Sequence, residues 1–182
     1  MNDEREYEKE PLRDRLIVAG MTEIATHGVP DFSLRRVAAA CHISCAAPYR
    51  HFKSKEDFIR EIVHYIDRQW ALLRNEVLRL FAPNVRRQLA EVAVAYARFF
   101  AANPHYGAVL TAAGESAAIK EDVEKLICAY CDSFSAPLWE RERYLFELRA
   151  LIYGTTAMLS SGELPNEAAT YDRLRDAIEA RF

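Results

Sequence analysis

The sequence predicts an all-α fold, and three observations support this prediction. Apolar residues recur every three or four positions through nearly all of the 182 residues, as on the buried face of a helix. Six of the seven prolines fall where these periodic segments begin or end. No segment alternates apolar and polar residues in the manner of a strand, and the sequence has no internal repeat. We therefore expect helices joined by short turns.

Composition and charge limit the possible functions. Hydrophobic residues make up 51% of the chain, enough for a buried core, which excludes disorder over most of its length. The formal net charge of −3 gives no sign of a nucleic-acid-binding protein. No run of about 18 uncharged apolar residues occurs, so no transmembrane helix and no membrane partner are predicted. The acidic residues 1–6 lack the apolar segment of a secretory signal, and we expect a cytoplasmic protein.

The N-terminal part of the chain predicts two short helices between two longer ones, after a flexible acidic tail of residues 1–10. The four helices are predicted over residues 11–27, 34–41, 45–51 and 55–81. Ser33 and Ser54 stand where an N-cap side chain accepts a hydrogen bond from the first helical turn. Five more helices are predicted over residues 85–102, 105–113, 116–134, 141–161 and 167–181.

Two short helices joined by a tight turn have the geometry of a helix-turn-helix, whose second helix enters the major groove of DNA. Residues 33–55 carry five basic side chains and no acidic one. These residues are Arg35, Arg36, Arg50, Lys53 and Lys55. Basic side chains neutralise DNA phosphates. By charge alone, a DNA-facing surface and a merely solvated basic face both remain open.

Four sequence elements in and beside this window favour the DNA-facing alternative. They are Ser33-Leu34-Arg35-Arg36-Val37-Ala38, Ile43-Ser44, Pro48-Tyr49-Arg50-His51-Phe52-Lys53 and Ser54-Lys55-Glu56-Asp57-Phe58. Over about fifty residues their order and spacing resemble the TetR family of bacterial transcriptional regulators. Residues 96–106, with Tyr96-Ala97-Arg98-Phe99-Phe100, Asn103-Pro104 and Tyr106, resemble the start of the effector domain in one branch of that family.

The resemblance implies a fold and a set of DNA contacts. A three-helix helix-turn-helix domain, residues 11–56, would be joined by a long helix to a ligand-binding and dimerisation domain, residues 57–182. The implied phosphate contacts are Ser33, Tyr49, His51 and Lys55. The residues implied to face base edges are Ser44, Cys45, Ala46 and Ala47. Arg36 and Arg50 would reach either phosphate or base, and Arg35 and Lys53 complete the predicted DNA-binding set.

Three departures from the family pattern bear on this surface. His42 stands in the turn where the family usually has glycine, and a non-glycine residue at positive φ is costly, although histidine is among the better tolerated. Small residues at Cys45, Ala46 and Ala47 favour contact with thymine methyl groups over bidentate hydrogen bonds. Pro48 removes one backbone donor from the second short helix, which a helix this short tolerates.

The resemblance also implies an effector site and a dimer. Aromatic residues are frequent between residues 86 and 160, and most are expected in an ordinary core. The residues predicted to bind a small hydrophobic or aromatic effector are Tyr96, Phe100, Tyr106, Leu110, Tyr130 and Phe134. The last two helices are the expected dimer interface, since a dimer reads two half-sites of a palindrome. The residues predicted there are Leu148, Ile152, Gly154, Thr155, Leu159, Leu174 and Ile178.

We therefore expect a ligand-responsive regulator, acting as a repressor, which binds a palindromic operator as a homodimer and is released by the effector. Two alternatives remain open. The first is a DNA-binding regulator without a small-molecule pocket, controlled by a protein or by oxidation. The second is a helical interaction protein that has lost DNA binding. No phosphate-binding loop, metalloprotease motif or nucleophile elbow points to an enzyme.

The four cysteines favour packing over metal or redox chemistry. Cys128 and Cys131 form a single C-x-x-C without a second ligand pair, so no metal and no cofactor are predicted. A buried cysteine behaves as a small hydrophobic residue. Cys45 is the exception, because its oxidation in the second short helix would block docking onto DNA.

Overall fold

The structure, a computed structural model, describes residues 11–113 and 117–182. Within these ranges it contains eight α-helices, one short 3₁₀ helix at Pro48–Arg50 and no strand. The α-helices are α1 (Leu12–His27), α2 (Leu34–Ala40), α3 (Lys55–Leu80), α4 (Val85–Ala102), α5 (Pro104–Ala113), α6 (Ala117–Asp132), α7 (Leu138–Ser161) and α8 (Ala168–Arg181). The all-α prediction is confirmed. The predicted tail, residues 1–10, lies outside the described residues.

The chain divides into two compact units. The first contains the chain up to Ile66 together with the segment that begins at His105. The second contains Asp67–Pro104 and the helices α6, α7 and α8. The division between Ile66 and Asp67 falls within α3, so this helix contributes to both cores.

The core of the first unit is built around Phe58, whose side chain is fully buried. The ring of Phe52 packs edge-on against it at 4.3 Å between centroids, and the ring of Phe32 lies at 5.4 Å. Gly20 on α1 faces the Phe58 ring, and its missing side chain lets α1 approach α3 closely. Phe52 ends the segment predicted to enter DNA, so this core fixes that segment against the long helix.

The core of the second unit lies where α4 packs against α6, α7 and α8. Small residues such as Ala93 and Ala97 on α4 are fully buried and permit close helix packing. Arg175 on α8 donates to the Glu91 carboxylate at 2.8 Å, which ties α8 to α4 at the edge of this core. None of the described helices combines the length and apolar character needed to cross a membrane.

Candidate nucleic-acid interface

Helix α2 begins where the sequence predicts, and two groups hold its first turn. The Ser33 hydroxyl accepts a hydrogen bond from the backbone N–H of Arg36 at 3.4 Å, which confirms the predicted N-cap. The carboxylate of Glu23 on α1 accepts from the backbone N–H of Ser33 at 3.2 Å and from Nε of Arg36 at 2.7 Å. A second Arg36 nitrogen donates to the Asp31 carbonyl at 2.5 Å. The start of α2 is thereby fixed to α1.

The turn after α2 has the geometry predicted for a residue that is usually glycine. His42 adopts φ +57°, in the left-handed region. The N–H of Ile43 donates to the carbonyl of Ala38, and the N–H of His42 donates to that of Ala39, both at 3.0 Å. These two bonds form a Schellman C-cap, in which the left-handed residue reverses the chain. The chain therefore leaves α2 toward the segment predicted to face DNA, through a sharp turn that histidine tolerates.

The recognition segment, Ser44–Phe52, is a chain of tight turns, whereas the sequence predicts a second short α-helix here. Ala47 and Arg50 each donate to the carbonyl three residues earlier, at 3.0 and 3.1 Å. Pro48 has no N–H with which to continue an α-helix from Ser44. Its carbonyl accepts from both His51 and Phe52, at 2.9 and 3.0 Å. The difference from the predicted helix therefore centres on Pro48.

The start of α3 is capped as the sequence predicts. The Ser54 hydroxyl accepts from the N–H of Asp57 at 3.1 Å, and the Asp57 carboxylate accepts from the N–H of Lys53 at 2.8 Å. The hydrogen bond from Lys53, followed by that from Arg60, lowers the pKa of the Asp57 carboxyl. Asp57 therefore stays ionised, and its hydrogen bond with the Lys53 backbone fixes the end of the recognition segment to the start of α3.

The predicted DNA-binding residues fall into two groups by what their side chains already contact. Arg35, Arg50 and Lys53 are exposed, and within the described residues their charged groups make no hydrogen bond or ion pair. Tyr49 is 61% exposed, which leaves its hydroxyl and ring face accessible. The remaining exposed residues of this set are Ser44, Cys45, Ala46 and His51, while Ser33 and Ala47 are half-buried.

Arg36 and Lys55 have partners inside the protein. Arg36 forms an ion pair with Glu23, whose side chain is only 8% exposed and also lies 3.2 Å from Nδ1 of His27. Lys55 donates from Nζ to the Pro30 carbonyl at 2.9 Å. Both cations therefore hold the domain together before any DNA is present, and the Glu23 carboxylate makes the charge of Arg36 less available to phosphates than that of Arg35.

Glu23 is the residue of this interface that the sequence analysis missed. Burial raises the pKa of its carboxyl, but the hydrogen bond and charge of Arg36, the charge of His27 and the hydrogen bond from Ser33 together outweigh burial, and the pKa lies below its ordinary value. Glu23 therefore stays ionised and pairs with Arg36. The one local feature of the sequence that could have pointed to Glu23 is its spacing from His27, since residues one helical turn apart can form an ion pair.

The six residues predicted to bind an effector are divided between the two units. Tyr96 and Phe100 belong to the second unit, where their ring centroids are 4.6 Å apart and Tyr96 also packs on Trp70 at 5.5 Å. Tyr130 and Phe134 form a separate aromatic group of that unit with Tyr144 and Phe182, and Phe134 is 46% exposed.

Tyr106 and Leu110 belong to the first unit, on α5. Burial, followed by the charge and hydrogen bond of Tyr65, raises the pKa of Tyr106 to about 12. The Tyr106 hydroxyl is therefore neutral and joined to α3 of the same unit. Leu110 is buried at 6% exposure.

Five of the seven residues predicted at the dimer interface lie inside the protomer. They are Leu148, Ile152, Leu159, Leu174 and Ile178, all of them at most 8% exposed. On α7, Leu148, Ile152 and Leu159 recur at a heptad-like spacing that serves packing within the second unit, so these side chains are not available to another chain. Gly154 and Thr155 are half-buried.

The cysteines form no disulfide. Cys41 and Cys131 are buried, whereas Cys45 and Cys128 are exposed. Burial raises the pKa of the Cys131 thiol, which lowers its reactivity. Among the described residues, no group of three or more potential ligands is placed to hold a metal ion.

Residues 16–62 match the family model described as bacterial regulatory proteins, tetR family. A bacterial regulatory protein of the tetR family from Rhodococcus RHA1 is 15% identical with a TM-score of 0.72, over 94% of this chain and 97% of that chain. The fatty acid degradation regulator FadR from Bacillus halodurans is 14% identical with a TM-score of 0.68, over 93% and 98%. A protein of unknown function from Rhodococcus sp. RHA1 is 17% identical with a TM-score of 0.74, over 95% and 96%. No curated protein matches the chain.

Proposed function

We propose that the protein is a tetR-family regulator that represses transcription as an effector-released homodimer on a palindromic operator, because residues 16–62 match the model of that family. The observation that carries the DNA-binding part is the set of charges on the first unit. Arg35, Arg50 and Lys53 are exposed in or beside the recognition segment, and their charged groups make no ion pair among the described residues. Unpaired cations at this position are suited to DNA phosphates.

The recognition segment offers few groups for reading bases. Cys45 and Ala46 are exposed and small, so they are suited to apolar contact with thymine methyl groups. Arg50 is the one long cationic side chain within Ser44–Phe52. We therefore propose that Arg50 makes the strongest base or phosphate contact of this segment. Tyr49 and His51 would contact neighbouring phosphates of the DNA backbone.

The dimer surface that we propose lies on the exposed side of α7. Apolar residues recur at helical spacing along this side of α7. The most exposed of them, Leu138 and Phe146, are 78% and 73% exposed. A groove of about 440 Å³ runs along this side between Glu142 and Gly154. A side chain built at Gly154 would meet nothing within 4 Å, so a second helix can approach the backbone there. A two-fold pairing of α7 helices would bury this surface.

Selection of bound DNA from a random pool, followed by fluorescence anisotropy, tests the DNA-binding proposal. We expect an inverted repeat, since a two-fold dimer presents two equivalent recognition segments. If Arg50 binds phosphate, a dimer of Arg50→Ala neutralises two fewer phosphates, which would flatten the plot of log K against log salt by about 1.8. Arg173→Ala, an exposed arginine on α8, is the matched control. Selected sites without symmetry, or equal effects of the two variants, would contradict the proposal.

Phe146→Glu tests the proposed dimer surface. The variant places a carboxylate in the lining of the groove in both protomers, so we expect the dimer dissociation constant to rise by about thirtyfold or more. Sedimentation equilibrium measures this change directly. Leu72→Glu, at a residue of α3 that is 68% exposed, is the control and should leave the dimer intact. A Phe146→Glu protein that remains as dimeric as the control would place the interface elsewhere.

A further inference from the structure

The indole N–H of Trp70 is a buried polar group that the fold leaves unexplained. Trp70 lies on the part of α3 that belongs to the second unit, and its side chain is 1% exposed. Its Nε1 has no hydrogen-bond partner among the described residues. Burying such a donor without an acceptor is costly, and native proteins rarely leave one unpaired. An acceptor from outside the chain would satisfy it.

A row of aromatic rings leads from this indole toward less buried parts of the second unit. The ring of Tyr96 packs edge-on against Trp70 at 5.5 Å, and the ring of Phe99 lies at 5.8 Å. The ring of Tyr153, which lines the α7 groove, lies 5.8 Å from Tyr96. Trp70 is buried, whereas Tyr96, Phe99 and Tyr153 are only half-buried. We call Trp70, Tyr96, Phe99 and Tyr153 the aromatic row.

The composition of the aromatic row indicates the kind of molecule that would reach the indole. Edge-on and tilted rings offer aromatic surface that favours a flat apolar body. Arg74 stands one turn beyond Trp70 on α3 and is already paired with Asp122. Both side chains of this pair are largely buried, at 19% and 12% exposure. An anionic ligand would therefore find its counter-charge occupied, and a neutral acceptor suits the site better.

We propose that Trp70 is the hydrogen-bond donor of the effector site, and that its ligand is a neutral, flat, largely apolar molecule whose carbonyl oxygen accepts the Nε1–H. This proposal rests on the proposed function, in which an effector releases the protein from DNA. It adds the hydrogen-bond donor of the effector site and the chemical class of the effector. A ligand bound at the aromatic row would also contact Tyr153, which lines the α7 groove of the proposed dimer surface.

A pair of probes that differ only at the acceptor tests the proposal. Acetophenone carries the carbonyl, and α-methylstyrene replaces its oxygen by CH₂ with nearly the same shape. The rise of the melting temperature with probe concentration gives each dissociation constant. We expect the preference of the parent protein for acetophenone over α-methylstyrene to fall by about three- to tenfold in Trp70→Phe. Trp139→Phe, at a residue that is 64% exposed, should keep the parent preference. An unchanged preference in Trp70→Phe, or no binding of either probe to the parent, overturns the proposal.

A second measurement does not depend on the folding of Trp70→Phe. The sequence has two tryptophans, so the ¹⁵N-labelled Trp139→Phe protein shows Trp70 as its single indole N–H signal. Saturation with acetophenone should move this proton downfield, and α-methylstyrene should not. Equal shifts with both probes, as expected if a bound water already satisfies the indole, overturn the proposal.

Operator binding measured on the same preparations separates the two proposals. If the protein binds its selected DNA but shows no carbonyl preference, the Trp70 inference fails and the DNA-binding function stands. If it shows the preference but binds no DNA, the proposed function fails and the ligand site stands.

Discussion

Gly20→Ala will lower the free energy of unfolding by about 2–3 kcal/mol, because the added methyl group has no room between α1 and α3. A Cβ at residue 20 would lie 2.7 Å from Cζ of Phe58 and 3.0 Å from Cδ1 of Ile62. Carbon atoms in contact normally lie about 3.5–4.0 Å apart. The ring cannot turn away, since it is fully buried and packed against Phe52 and Phe32. The two helices must therefore separate, which exposes part of the core.

Gly107→Ala is the matched control for this prediction. Gly107 also lies in a helix of the first unit, and a Cβ there would meet nothing within 4 Å. Alanine is the better helix former by about 1 kcal/mol, so Gly107→Ala should stabilise the protein slightly. Urea denaturation with an unchanged m-value measures both changes. A Gly20→Ala protein as stable as the parent would show that the core of the first unit accommodates the methyl group.

Local features of the sequence predicted most of the helices and the geometry of the turns. The bounds of α1, α2 and α3 follow from apolar spacing and from the caps Ser33 and Ser54, because capping depends on residues three positions apart. The positive φ of His42 was implied by the family resemblance, since glycine usually stands at this place in the turn. The recognition segment does not form the predicted α-helix. Pro48 removes one backbone donor, and in a segment of nine residues this loss interrupts most of the helix, whereas a long helix would only be kinked.

Contacts between distant parts of the chain were not predictable from the same patterns. Heptad-like spacing on α7 is equally typical of packing within a protomer and of a dimer seam, and the structure shows the former for Leu148 and Ile152. The pairing of Arg36 with Glu23 joins two helices, and nothing local distinguishes Arg36 from its neighbour Arg35. The unpaired indole of Trp70 becomes visible only when every neighbour of the side chain is placed.

Arg35→Ala and Arg36→Ala will have different effects, although these two arginines are adjacent in sequence and both exposed. Arg35 makes no ion pair within the described residues, so its replacement should leave the stability unchanged and weaken operator binding. Each dimer then lacks two charge-assisted hydrogen bonds to DNA of about 1 kcal/mol each, which corresponds to roughly thirtyfold in affinity. Arg36 holds the buried carboxylate of Glu23, so its replacement should lower the melting temperature by about 3 °C or more.

The pH dependence of stability provides an independent check on Arg36. The folded-state pKa of Glu23 lies below its unfolded value, so the ion pair stabilises the protein fully above the unfolded pKa of about 4.3. The contribution is lost as the pH falls through the folded-state pKa. The difference in melting temperature between parent and Arg36→Ala should therefore be constant near neutral pH and shrink below about pH 4. Thermal unfolding from pH 3 to pH 7 measures it, with Arg35→Ala as the control. If Arg36→Ala weakens DNA binding while its melting temperature equals that of the parent at every pH, Arg36 is a DNA contact and the Glu23 pair is dispensable.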